Sequence, residues 1–197
     1  MAPKLDTPVR VLCVAGSPRR TGNSTAMLDA CIRGIQSAGA VADRLALAEL
    51  HVHPCSGCGQ CSSMGQCVVN DDMHDIYPRI DAAHAIVIAS PVYFAGVPAT
   101  LKAFYDRCQP YWARRYILKL PPREPRRPGA LLIVRGGGDP YGSECAVTTT
   151  RSVFAVLETE LGALLDIEGP DLPGEISGHE GALVDAEELG RRIVALA

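Results

Sequence analysis

Five short apolar runs, separated by stretches of helical periodicity, constrain this chain more than any other feature of it. The runs cover 9–16, 41–47, 85–89, 130–134 and 163–167. Most are nearly continuous and rich in Val, Ile, Leu and Ala, the pattern of a strand buried on both faces. Between the first two, Met27, Leu28, Cys31, Ile32 and Ile35 fall at helical spacing. They predict a helix over 24–38, stopped by Gly39. A second helix is predicted from about 70 to 82, capped by Asp71 or Asp72 and interrupted or kinked by Pro78. A third starts at Pro98 and continues through Leu101, Phe104 and Tyr105. Two more are predicted over 146–162, with Val153, Val156, Leu157 and Leu161 on one face, and over 185–196. Alternation of this kind predicts an α/β fold: an open parallel sheet with helices on both faces, formed by a single domain over 1–197.

Composition fits that reading. Apolar residues make up 47% and charged residues 21%, which supports a full core and excludes a disordered chain. A net charge of −3 excludes a generally basic nucleic-acid binder, and 5% aromatic residues argue against base-stacking platforms. No apolar run approaches the roughly 18 residues of a membrane span. Residues 1–8 carry Asp6 and no apolar core, so no signal peptide is expected. The expected location is cytoplasmic, with neither a membrane nor a nucleic acid as partner. In that compartment the eight cysteines are not expected to form a disulfide framework.

Open parallel sheets bind ligands beyond the carboxyl ends of their strands. The loops at those ends follow Gly16, Ala89 and Val134, and all three are rich in small, polar, Gly or Pro residues. The first reads Gly16-Ser-Pro-Arg-Arg-Thr-Gly-Asn-Ser-Thr25. Its hydroxyls, the Asn23 amide and the Arg19 guanidinium surround a helix N-terminus, where free N–H groups and the helix dipole favour an anion. It matches neither the dinucleotide fingerprint nor the phosphate loop ending in Gly-Lys-Ser/Thr. A hydroxyl-rich cradle suits a phosphomonoester; an ordinary strand-to-helix turn is the alternative.

Cys55, Cys58, Cys61 and Cys67 lie within a Gly- and Ser-rich loop over 54–67. Two consecutive two-residue gaps let a loop wrap one centre, and four thiolates can hold a 4Fe-4S cluster. A four-thiolate zinc site and a metal-free structural loop are the alternatives. His51, His53 and His74 flank the loop and receive no role. Cys13 and Cys31 are expected to be inert core thiols. Downstream, 107–128 holds seven basic residues, one Glu and five prolines. It predicts a long surface excursion with one helical turn, its side chains mostly solvated. The 156–197 region holds ten acidic residues against two basic ones. Opposite charges in the two regions suit a subunit contact or attraction of an anionic dinucleotide, with an Arg on the 2′-phosphate of NADPH.

Four segments occur in a fixed order: Gly16-Ser-Pro-Arg-Arg-Thr-Gly-Asn-Ser, Pro54-Cys-Ser-Gly-Cys-Gly-Gln-Cys with Gly65-Gln-Cys67, Asp71-Asp-Met73, and Ser90-Pro-Val-Tyr-Phe-Ala-Gly-Val-Pro-Ala-Thr-Leu-Lys-Ala-Phe-Tyr-Asp-Arg107. Together they resemble the NADPH-dependent FMN reductase and iron-sulfur flavoprotein family, closely over 9–107 and in outline beyond. The resemblance implies a flavodoxin-like three-layer sandwich with strand order 2-1-3-4-5, and FMN as cofactor. Ser17, Arg19, Asn23, Ser24 and Thr25 would hold its phosphate. Pro91, Val92, Tyr93 and Phe94 would border the ribityl chain and ring. Gly136, Gly137 and Gly138 would form a third wall. Cys55, Cys58, Cys61 and Cys67 would be the cluster ligands. No residue is assigned as catalytic, which suits hydride transfer. The implied activity takes electrons from NAD(P)H through FMN to a small acceptor such as a quinone, flavin, nitro or azo compound. An electron carrier using FMN and a cluster is the second reading, and a zinc-binding module without enzyme activity the third. A homodimer or higher homo-oligomer is implied.

Overall fold

The apolar runs pair into one sheet. In the computed structural model, which describes residues 8–179 and 181–197, the strands are β1 (Arg10–Ala15), β2 (Val41–Ala46), β3 (Ala85–Pro91), β4 (Arg127–Arg135) and β5 (Thr159–Glu168). They stand in the order β2-β1-β3-β4-β5, and every pairing is parallel. That is the order the resemblance implied. Helices α1 (Asn23–Ser37), α3 (Met73–Ala82), α4 (Ala99–Asp106), α6 (Glu144–Val156) and α7 (Ala182–Leu196) flank it. Two more, the single-turn α2 (Cys61–Met64) and α5 (Gln109–Tyr116), lie in the cysteine loop and the basic region.

Strand geometry splits the core into two layers. Val11 and Cys13 face α1 and α7, while Leu12 and Val14 face the layer that holds Met73, Leu101 and Phe104. All are fully or almost fully buried, and each large aliphatic side chain contributes about 1.5–3 kcal/mol. The α1–α7 contact is backbone to backbone. A Cβ on Gly34 would meet the Glu187 carbonyl oxygen at 1.9 Å, and one on Gly190 the Cys31 oxygen at 2.1 Å.

Three sequence expectations need correction. Helix α6 ends at Val156, and Leu161 belongs to β5. This edge strand alternates between more and less buried positions, so its apolar residues mimic a helical face. Pro78 does not interrupt α3, which runs to Ala82 as expected. The 107–128 region is a solvated excursion only over 119–126. Its helix α5 buries Pro110, Tyr111 and Ala113, Arg107 and Arg127 are buried, and β4 begins at Arg127. Long cationic stems packed under a helix carry no hydrophobic signature in sequence.

Candidate functional site

Four strand ends converge on one cavity of about 80 Å³, bordered by the loops after β1, β3 and β4 and by Pro170 and Asp171 after β5. The β1 loop is drawn close: Gly16 donates its N–H to Ala89 O at 2.8 Å, and a Cβ there would meet Leu101 Cδ2 at 2.5 Å. Ser17 is buried and its Oγ accepts from Arg19 N at 3.0 Å. Helix α1 then starts with no side-chain cap and no acidic residue in its first turn. Ser24 and Thr25 are buried there, and Thr25 Oγ1 has no hydrogen-bond partner. Buried hydroxyls normally find one. Free N–H groups, a positive dipole end, an orphaned hydroxyl and Arg19 together fit the phosphate of FMN.

Of the sequence-assigned flavin residues, Ser17, Arg19, Asn23, Ser24, Pro91, Val92, Tyr93 and Gly136 border this cavity. Thr25 lies behind it in the first turn. Asn23 is committed to the chain itself. Its Nδ2 donates to Leu172 O at 2.9 Å, and its Oδ1 accepts from Gly174 N at 3.0 Å and Ile176 N at 3.3 Å. Its amide thus latches the 172–176 segment to the loop between β1 and α1.

Tyr93 and Gly96 exchange two backbone hydrogen bonds, and both residues between them have positive φ, Phe94 at 50° and Ala95 at 60°. This turn holds Phe94 fully in solvent, outside the cavity. Gly137 and Gly138 also lie outside its lining, and Gly138 answers to a backbone need, with φ at 90°. Arg135, Pro170 and Asp171 border the cavity and were missed. Position alone could have found Pro170 and Asp171, because they follow the carboxyl end of the last strand.

The cysteine loop forms a second site. Cys55, Cys58, Cys61 and Cys67 line one cavity of about 270 Å³, with Arg107 against them. Burial raises the pKa of the Cys61 thiol, and the proximity of Cys67, Cys55 and Cys58 raises it too. Among the described residues no three His, Cys, Asp or Glu side chains stand where they would hold one metal ion. Arg107 pairs with Asp71 beneath the loop and donates to His53 O at 2.9 Å and Val69 O at 3.4 Å, so it ties down both ends. Its Nε is buried without a partner. Asp71, expected as a helix cap, accepts from Met73 N at 3.1 Å and also from His53 N at 2.8 Å. Cys13, Cys31 and Cys108 are buried, and desolvation raises their thiol pKa values, to about 12 for Cys31 and Cys108.

Among the described residues no helix is long and apolar enough to cross a membrane. The chain is similar to an iron-sulfur flavoprotein of Archaeoglobus fulgidus, 27% identical over 185 residues that cover 94% of this chain and 79% of that protein. An iron-sulfur flavoprotein of Methanosarcina thermophila is 33% identical over 128 residues, 65% of this chain and 64% of its own length. In fold it is similar to an NAD(P)H:quinone oxidoreductase from Methanothermobacter marburgensis, with a TM-score of 0.69 at 19% identity, covering 95% of this chain and 98% of that one. The family model described as NADPH-dependent FMN reductase matches residues 9–161. The chain is therefore an oxidoreductase that belongs to the NADPH-dependent FMN reductase family.

Proposed function

We propose that the protein takes a hydride from NAD(P)H and delivers its electrons, through FMN, to a small acceptor of the quinone, flavin, nitro or azo class. The observation that carries this reading is the uncapped start of α1, with the buried and unpartnered Thr25 hydroxyl beside it. Ser17, Ser24, Thr25 and the first-turn N–H groups would hold the phosphate, and Arg19 would balance its charge. The Pro91–Phe94 main chain and Gly136 would border the ring. Bound FMN supplies the redox chemistry, accepting a hydride and releasing electrons singly or in pairs. The protein's part is to bind, orient and limit water. Asn23 fixes the 172–176 segment, which follows the cavity-lining Pro170 and Asp171. Adding FMN to apo protein should quench the flavin fluorescence, and the loaded protein should consume NAD(P)H only when an acceptor is present or oxygen serves as one. An absence of quenching would remove the basis of the reading.

The cysteine cavity favours a second role beside the first. A cubane cluster binds each thiolate to a different iron, so its ligands ring a volume rather than meet at a point. Four cysteines around one cavity match that requirement. We infer that the loop holds a 4Fe-4S cluster, which would let the protein relay single electrons. Iron and acid-labile sulfide in protein purified without oxygen would support this. Iron-free protein that still reduces a quinone with NAD(P)H would leave the reductase alone. A homodimer is part of the same proposal and is read directly by light scattering.

A further inference from the structure

A cavity of about 270 Å³ lies at the opposite end of the sheet, between the end of α3, α5, the start of β4 and the α6–β5 junction. Nine residues of β4, at about 3.3 Å each, separate it from the flavin loops by roughly 25 Å. Arg114, Arg115, Arg123 and Arg127 line it, against two carboxylates, Asp81 and Glu158. Two of the four cations have a carboxylate partner. Arg114 stands 3.7 Å from Asp81, with its guanidinium over the Tyr111 ring, and Arg115 stands 3.6 Å from Glu158.

The other two guanidiniums meet no carboxylate among the described residues. Arg123 reaches only the Asp81 carbonyl, at 3.4 Å. Arg127 is 5% exposed and donates to the carbonyls of Leu157, Ile80 and Ala83 and to the Thr159 hydroxyl. Burial, then repulsion from Arg123, lowers its pKa to about 10, so it is still a cation at neutral pH. Every guanidine nitrogen of Arg127 is thereby engaged, and Asp81 and Glu158 act on its charge through space, so it adds positive charge to the cavity rather than a free fork of donors. The site is fixed in place. Glu158 adopts a left-handed φ of 54°, accepts at its carboxylate from Arg123 N, and accepts at its carbonyl from Arg127 N at 3.1 Å.

We propose that this cavity binds a phosphate-bearing anion of two or more charges, gripped by Arg123 together with Arg114 and Arg115 and favoured by the charge that Arg127 adds beneath them. Two uncompensated positive charges match a dianion. Forks that converge from several elements suit tetrahedral groups, whose oxygens point in several directions, whereas a planar carboxylate is satisfied by one fork. The distance from the flavin loops separates this anion from the phosphates of a reacting nicotinamide nucleotide.

The test is calorimetric titration of protein saturated with FMN, using pyrophosphate in one arm and ADP in the other, in low-salt buffer. Both should bind with one site per chain. Tighter binding of ADP identifies a nucleotide as the source of the phosphates, and equal or weaker binding identifies the free anion. Arg123 is exposed, so R123A should fold normally and weaken pyrophosphate at least tenfold, and R123E should abolish binding. R33A, an exposed arginine on α1 outside both cavities, should leave it unchanged. Absence of binding by the parent, or equal affinity in the parent and R123E, overturns the proposal.

Discussion

Asp71 and Arg107 form a two-point ion pair beneath the cysteine loop, Nη1 to Oδ2 at 2.5 Å and Nη2 to Oδ1 at 2.9 Å, with both side chains at most 2% exposed. Burial alone would raise the Asp71 carboxyl. The Arg107 fork and the N–H groups of His53 and Met73 hold it below its ordinary value of 3.8. The same pair raises the guanidinium further, against the effect of burial. One salt bridge therefore ties α3 to the end of α4 and closes the base of the loop carrying the four thiols.

D71N removes the negative partner and leaves a buried cation behind, so it should cost about 3–5 kcal/mol, read as a fall in the urea midpoint at neutral pH. D71L/R107M, which removes both charges, should recover only part of that loss, because the His53 and Met73 N–H groups and the His53 and Val69 carbonyls lose their partners. The sign with pH follows from the depressed carboxyl. Its contribution is fully present above about pH 4–5 and is lost as pH falls through the lowered folded value. Parent stability should therefore fall more steeply below pH 4 than that of D71N. A D71N midpoint equal to the parent's at pH 7 would show that the pair does not stabilise the fold.

The α1–α7 contact makes a second, independent prediction. Alanine favours an exposed helix over glycine by about 1 kcal/mol. At Gly34 and Gly190 the added methyl would meet backbone at 1.9 and 2.1 Å, so the helices must move apart. G34A and G190A should each destabilise by about 1–3 kcal/mol. G178A, where nothing stands within 4 Å, should have little effect. Thermal unfolding of the three variants orders them, and a stabilised G34A would contradict the close approach.

The orphaned Thr25 hydroxyl separates stability from binding. In apo protein T25V replaces a buried, unpaired oxygen by a methyl group and should leave stability unchanged or slightly raised. In FMN titrations the same variant loses a donor to the phosphate, and affinity should fall about tenfold, or 1.4 kcal/mol. Equal FMN affinity for T25V and the parent would take Thr25 out of the cradle.

Much of this was legible in the order of residues. The strands announced themselves because a strand buried on both faces must be apolar throughout, as 85–89 is. The loop proposed to hold a phosphate stands out in the sequence because glycine, hydroxyls and a helix start occur together. The less legible parts depend on contacts between distant segments. Arg107 and Arg127 look like any surface arginine until Asp71 and the carbonyls of Ile80, Ala83 and Leu157 close around them. Leu161 fits a helix or a strand equally, and only pairing with Gly129 decides. Asn23 carries the chemistry of a phosphate ligand, yet its partners lie about 150 residues away in sequence.

That latch gives the last prediction. Asn23 Oδ1 accepts from Gly174 and Ile176, and its Nδ2 donates to Leu172, so one amide holds the segment that follows β5 against the loop between β1 and α1. N23A should free those amides. Hydrogen exchange at Gly174 and Ile176 should quicken by about tenfold or more, while exchange in β1 and β3 stays as in the parent. N23D keeps an acceptor for the two N–H groups but loses the donor to Leu172, so its exchange should fall between the two. Its added charge beside the phosphate should also weaken FMN more than N23A does. If N23A leaves exchange in the segment unchanged, the latch is not what holds it, and the amide is available to the phosphate.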